Sequence, residues 1–297
     1  MIKPPLELTP NTVADWVEAS LLSNGPDVRI SDANLLDALE EAGADDAEGH
    51  IANLRAEISR RRNLIGARYP LQRRGAGFVF KGPWDAQKYL PYNFLLLISL
   101  NQLYRELVFA RGSGNVPAEL FENIVSAALM RYAGGNAIRI GAPRRNPVPG
   151  GFPNAVQHIS DRLFETFGYG ELEDQQSGDD GVDIVVWKSF KDQLCSQLVI
   201  LAQCSIGTDW RKKRSELDLS VWDRHIRWAT KPMKAFAVPF QHELGNPWQE
   251  TSVRGGIVLD RGRIVNCLPN PPISAQLQER VTRWCTRRMK AVRALVQ

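Results

Sequence analysis

Zinc fingers and disulfide scaffolds need cysteine in close pairs, and this chain has little of it. Its four cysteines, Cys195, Cys204, Cys267 and Cys285, stand far apart, with no CxxC pair among them, and its four histidines show no zinc-ligand spacing. Such spacing argues against a structural zinc site or a disulfide framework and leaves reduced, buried thiols as the simpler reading. Long apolar runs are missing too. A membrane span needs about 18 consecutive apolar residues, and the best stretch, Phe94 to Leu100, is soon closed by Asn101, Gln102 and Arg105, so it reads as a buried helix. The opening Met1-Ile2-Lys3-Pro4-Pro5 lacks an apolar signal-peptide core, so the expectation is a cytoplasmic protein with no membrane partner. There is no GxSxG, Walker loop or HExxH, which removes the usual signatures of serine hydrolases, P-loop ATPases and zinc peptidases.

What is present is the composition of an ordinary soluble globular chain, with 297 residues, 43% hydrophobic and 24% charged, enough for one large domain or two small ones. The net charge of +4 is modest, but its distribution is not even. Acidic residues crowd Asp32 to Glu57, basic residues crowd Arg211-Lys212-Lys213-Arg214 and Arg280 to Arg293, and no acidic residue follows Glu279. That asymmetry suits a polyanionic partner, with a solvated helix face as the alternative for the last basic stretch.

Periodicity divides the chain. Thr9-Pro10 opens a first helix carrying Val13, Trp16, Val17 and Leu21; Ser31-Asp32 opens a second, and a third runs from about Asp46 to Arg61. Residues 66 to 93 are rich in Gly, Pro and aromatics and read as irregular. Helices follow at about Tyr92 to Ala110 and Pro117 to Tyr132, separated by a Gly112–Asn115 loop, and residues 141 to 151 read as a linker. The expected division is therefore a mainly helical region, 1–150, and a second domain, 151–297. In the latter the pattern predicts a helix over Asn154 to Phe167, ended by Gly168-Tyr169-Gly170, then strands at Val182 to Trp187, Leu198 to Ile206 and Lys234 to Phe240. It also predicts a helix from Gly207-Thr208 to about Leu219, a hairpin of Gly256–Leu259 with Arg263–Leu268, and a final helix from Ser274 to Val296.

Two of those strands carry polar groups where apolar ones would be expected. Asp183 sits at the start of Val182-Asp183-Ile184-Val185-Val186, after the acidic turn Gly178-Asp179-Asp180, and Gln203 interrupts the end of Val199-Ile200-Leu201-Ala202-Gln203-Cys204-Ser205. Side chains alternate along a strand, so Gln203 and Ser205 share a face. The short connection between the strands favours antiparallel pairing, which brings Asp183 and Gln203 together at one edge. Phosphodiester hydrolysis needs that kind of arrangement: a hard divalent cation takes carboxylate, carbonyl and water oxygens, lowers the pKa of a bound water and stabilises charge on phosphate. A nearby lysine then orients or deprotonates the water.

The order helix, strand with Asp183, strand ending Gln203-Cys204-Ser205, helix, strand resembles the PD-(D/E)XK, or restriction-endonuclease-like, nuclease superfamily over about residues 152 to 240. The resemblance implies an α/β fold, a mixed central sheet flanked by helices behind a helical N-terminal region, with Mg²⁺ or Mn²⁺ as cofactor. It places Asp183 and Gln203 as metal ligands and catalytic residues. The motif's lysine falls at Ser205, so the lysine role is expected to have moved to the helix after the strand, to Lys213 ahead of Lys212, with Lys188 weaker still. A further carboxylate often comes from the preceding helix; Glu165 is the choice and Glu122 the rival. Gly207-x-x-Trp210-x-x-Lys213 also resembles nuclease-like proteins of bacterial antiphage islands. Arg211, Lys212 and Arg214 are expected to touch phosphates. The reading is thus a metal-dependent DNA endonuclease acting in antiphage defence or restriction, with a protein partner or a homodimer in prospect. The alternatives are a degenerate nuclease fold serving DNA binding or as a scaffold, and an RNA-cleaving toxin.

Overall fold

The first three helices begin where short polar side chains satisfy free backbone N–H groups. The computed structural model describes residues 1–25, 27–109, 116–168 and 180–295. Thr9 caps α1 (Pro10–Asn24), with Pro10 in the first turn. After β1 (Ile30–Ser31), Ser31 caps α2 (Asp32–Glu41), and Asp46 caps α3 (Ala47–Ile65). The stretch expected to be irregular contains β2 (Leu71–Arg73) and β3 (Gly77–Phe80), which with β1 form a small antiparallel sheet. Then come α4 (Leu90–Ser99), two 3₁₀ turns, α5 (Val116–Ala133), β4 (Asn136–Arg139), α6 (Phe152–Leu163), β5 (Thr166–Phe167), β6 (Ile184–Lys188) and β7 (Leu198–Cys204). The chain closes with α7 (Trp210–Lys213), α8 (Leu219–His225), β8 (Ile226–Arg227), β9 (Met233–Ala237), α9 (Asn246–Gly255), β10 (Ile257–Leu259), α10 (Arg261–Cys267) and α11 (Ala275–Arg293).

The architecture is α/β. Five strands form a mixed sheet in the order β10-β9-β7-β6-β4, antiparallel from β4 to β7 and parallel from β7 to β10. Alternation buries both faces. Ile184, Val186, Ile200 and Ala202 join a core built with α1, α4, α5, α10 and α11, while Val185, Trp187, Val199 and Leu201 pack with α6 and α8. The first of these cores takes residues from Ile2 to Val292, α5 packs on the sheet, and β4 is its edge strand. A boundary at residue 150 therefore does not separate two cores.

Several elements differ from the sequence expectation. The hairpin at 256–268 is instead a parallel edge strand followed by a helix: β10 pairs with β9, and Asp260 accepts from the Arg263 N–H at 2.9 Å and caps α10. Of the helix expected from Gly207 to Leu219 only the short α7 forms, and a separate helix, α8, begins at Leu219. Of the long helix over 92–110, α4 ends at Ser99. The loop at Gly112–Asn115, the turn residues Gly178 and Asp179, and Tyr169-Gly170 lie outside the described residues.

A buried ion cluster ties α1, α3 and α10 together. Arg261 donates to both oxygens of Asp15 at 2.8 Å, and Arg61 pairs with Asp15 at 2.6 Å, Glu18 at 3.1 Å and Glu57 at 2.7 Å. Burial alone would raise the Asp15 carboxyl pKa, but the two guanidiniums outweigh it and hold the group below its ordinary range.

Candidate active site

Asp183 directly precedes β6, one step beyond Ile184–Ala202, the last registered pair of β6 and β7. Its backbone is fixed on both sides: its N–H donates to the Ala202 carbonyl at 2.9 Å, and its own carbonyl accepts from Ile140 at 2.7 Å and Gly141 at 3.1 Å. One carboxylate oxygen, Oδ2, accepts from the Cys204 N–H at 2.7 Å. The other turns toward Gly141. A Cβ at residue 141 would stand 2.9 Å from Asp183 Oδ1 and 2.8 Å from Glu122 Oε2. Glycine is needed there because two carboxylates close over the backbone. Glu122 arrives from α5, buried, in an ion pair with Arg139 of β4.

Gln203, 3% exposed, follows Ala202 on β7. Its Nε2 donates to Glu216 Oε2 at 3.3 Å, while its Oε1 is buried without a hydrogen-bond partner. The same Glu216 oxygen accepts from Lys213 Nζ at 2.8 Å. Glu122, Asp183, Gln203, Ser205, Lys213 and Glu216 line one cleft of about 370 Å³. The expected Asp183, Gln203 and Lys213 thus meet in one place. Ser205 is buried, its N–H donating to the Ala237 carbonyl at 2.9 Å, and no lysine stands there.

Glu165 is not in this group. Helix α6 ends at Leu163 and Phe164 is left-handed at φ 55°, which turns Glu165 away. Its oxygens accept from the N–H groups of Ser196 at 3.1 Å and Ala229 at 2.9 Å, so it ties the loop before β7 to the one between β8 and β9. The carboxylate beside Asp183 is Glu122. Its partner Arg139 lies on a strand that the sequence reading did not contain. Lys188 lies at the far end of β6, with its Nζ toward Gly134.

The basic run divides as well. Lys212 and Arg211 are exposed, and the Arg211 guanidinium lies 4.6 Å from the Trp210 ring centre. Arg214 corrects the expectation of a phosphate contact: it is buried and donates to Thr251 at 2.9 Å and Glu250 at 3.0 Å. Glu216 was missed altogether, because an exposed-looking Glu three residues after a lysine has the sequence signature of a plain helical ion pair.

The donor set decides which cation fits. Two carboxylate oxygens and an unpartnered amide oxygen suit a hard, oxygen-preferring divalent ion. Cys204 is no competitor: desolvation, then the charges of Asp183 and Glu122, push its thiol pKa well up, so it stays protonated. Among the described residues no group of three or more His, Cys, Asp or Glu side chains is arranged to hold a metal. No described helix is long and apolar enough to cross a membrane. Comparison with protein-family models, curated proteins and solved structures finds no match.

Proposed function

We propose that the chain is a metal-dependent nuclease with a restriction-endonuclease-like core, hydrolysing DNA phosphodiester bonds with Mg²⁺ or Mn²⁺, in the setting of bacterial antiphage defence or restriction. The observation that carries this reading is the Gln203 carbonyl oxygen, buried without a partner beside two carboxylates that converge on Gly141. Leaving a buried acceptor unsatisfied costs about 1–3 kcal/mol, and a cation at that position removes the cost. Asp183, Gln203 Oε1 and Glu122, whose Oε2 is shared with Arg139 Nε, would hold it. A bound divalent ion supplies a water of lowered pKa and stabilises charge on the phosphate.

The remaining roles belong to the chain itself. Cys204 N–H fixes the Asp183 carboxylate so that only Oδ1 turns inward. Lys213 brings an ammonium to the cleft wall from α7, in the role that Ser205 cannot fill, and Glu216 steadies it. Phosphates outside the cleft would meet Arg211 and Lys212, both exposed on the same short helix.

The test is cleavage of supercoiled plasmid, labelled single strands and RNA with Mg²⁺, Mn²⁺ or EDTA, by wild type and Asp183→Ala. Metal-dependent cutting lost in the variant is the expected result, and the substrate panel separates DNA from RNA. The absence of lysine at position 205 favours one second reading, a degenerate fold that binds DNA or serves as a scaffold. DNA binding with no cutting under any metal would select it.

A further inference from the structure

A second cavity, about 560 Å³, lies on the other side of α7 from the cleft. The helix serves as a wall for both: Lys213 lines the cleft, while Trp210, Arg211 and Arg214 line this cavity. Asn101 and Gln102, also in its lining, brace the same wall by donating to the carbonyls of Ile206 at 2.7 Å and Gly207 at 2.9 Å. The size is that of a small-molecule site.

The lining has a definite chemistry. Phe240, Trp210 and His242 form an aromatic group, with Phe240 5.1 Å from Trp210 and Trp210 5.3 Å from His242, centre to centre. The Arg211 guanidinium stands over Trp210, and Phe240 is only half-buried, so its ring is the aromatic surface left for a ligand. Burial lowers the His242 pKa, so this ring adds no charge near neutrality. Exposed Arg105 and Arg211 supply cations, whereas Arg214 is committed to Thr251 and Glu250. Of the four acidic residues in the lining, Glu250 is paired with Arg214 and Asp15 with Arg61 and Arg261, which leaves Glu7 and Glu243 against Arg105 and Arg211, so the charge is balanced rather than strongly positive.

An aromatic platform with two available guanidiniums fits a flat base joined to an anion, and the two glutamates disfavour a ligand with several negative charges. We infer that this cavity binds a single nucleotide, a nucleobase with one phosphate. The nucleotide is either an unpaired one in a nucleic-acid strand or a free mononucleotide. The inference is independent of whether the cleft cuts.

Calorimetric titration in EDTA, where no metal-dependent cleavage occurs, tests it. The probes are the four deoxynucleoside monophosphates, their triphosphates, the nucleosides and a short single-stranded oligonucleotide. Saturable monophosphate or oligonucleotide binding is expected, weakened about tenfold by Phe240→Leu, as loss of one stacking contact implies. Arg105→Ala is expected to weaken the monophosphate but not the nucleoside, and Asp183→Ala to leave binding unchanged. Melting curves check that each variant folds. Oligonucleotide binding sensitive to both cavity variants assigns a strand nucleotide; monophosphate binding that the oligonucleotide does not displace assigns the free one. The inference is overturned by no saturable binding of either probe, by affinities that both cavity variants leave unchanged, or by triphosphates binding more tightly than monophosphates.

Discussion

A carboxamide has a donor side and an acceptor side, and which one faces a cation decides whether it can be a ligand. In Gln203 the donor side is taken by Glu216, and Oε1 is left buried without a hydrogen-bond partner in the cleft that Asp183 and Glu122 also line. Glu216→Ala removes that bias and frees Lys213 as well. Its expected effect is about a 10–100-fold loss of Mn²⁺ affinity, the range for residues that orient metal ligands, read by calorimetry or electron paramagnetic resonance. An unchanged affinity would mean that the amide is oriented by something else. Gly141 offers a sharper case. An added methyl would press on the carboxylate tips of two side chains, Glu122 and Asp183, not on backbone. Gly141→Ala is therefore expected to keep the melting temperature within a few degrees of wild type, in the range of about 1 kcal/mol, while separating the carboxylates and abolishing metal binding. A protein that melts early but still binds metal would reverse that assignment.

At the scale of elements, Glu165 illustrates a structural role in place of a chemical one. Its two backbone contacts hold Ser196 and Ala229, and Glu165→Ala leaves both donors unmatched. Stability should fall by about 1–3 kcal/mol in denaturant unfolding, with cleavage retained under conditions where the variant is folded; loss of cleavage by folded protein would return Glu165 to the site. Local signals made much of this legible. Thr9, Ser31 and Asp46 marked three helix starts, and the apolar runs around Asp183 and Gln203 marked β6 and β7. The meeting of Asp183, Gln203 and Lys213 followed from strand pairing and the helix after it. Other elements depend on contacts distant in sequence. Strand β4 is four residues long behind Gly134-Gly135 and takes its identity from pairing with β6, and without β4 nothing distinguishes Glu122 from Glu165. Arg263 to Leu268 is short and apolar enough to pass for a strand, whereas its polar residues Arg263 and Asn266 stand three apart and Asp260 caps it as α10.

For the whole molecule, the buried ion cluster contributes to the response to acid, alongside Asp32 and Glu119, whose carboxyls burial would raise but arginines also hold below their ordinary range. Burial would raise the Glu57 carboxyl pKa, as it would that of Asp15, but Arg60 and Arg61 outweigh it and leave the group below its ordinary value. Carboxyls depressed in the fold stabilise it fully above their ordinary values, 3.8 for Asp15 and 4.5 for Glu57, and that stabilisation is lost as pH falls through the depressed folded values. Melting temperature should therefore hold steady from neutrality down to about pH 5 and drop below it; in an Asp15→Asn, Glu57→Gln variant, less stable at neutrality, the acid drop should be smaller. An equal drop would place the acid response elsewhere. The same cluster also orders events in time. Asp15 meets Arg261 across 246 positions of sequence, so a chain emerging from the ribosome exposes the acid long before its second guanidinium exists. The helix that brings Arg261 follows every residue of the cleft, and it docks on α1 where Asp15 waits. The sheet with its cleft is thereby locked to α1 only once α10 has been made, after every residue of the cleft.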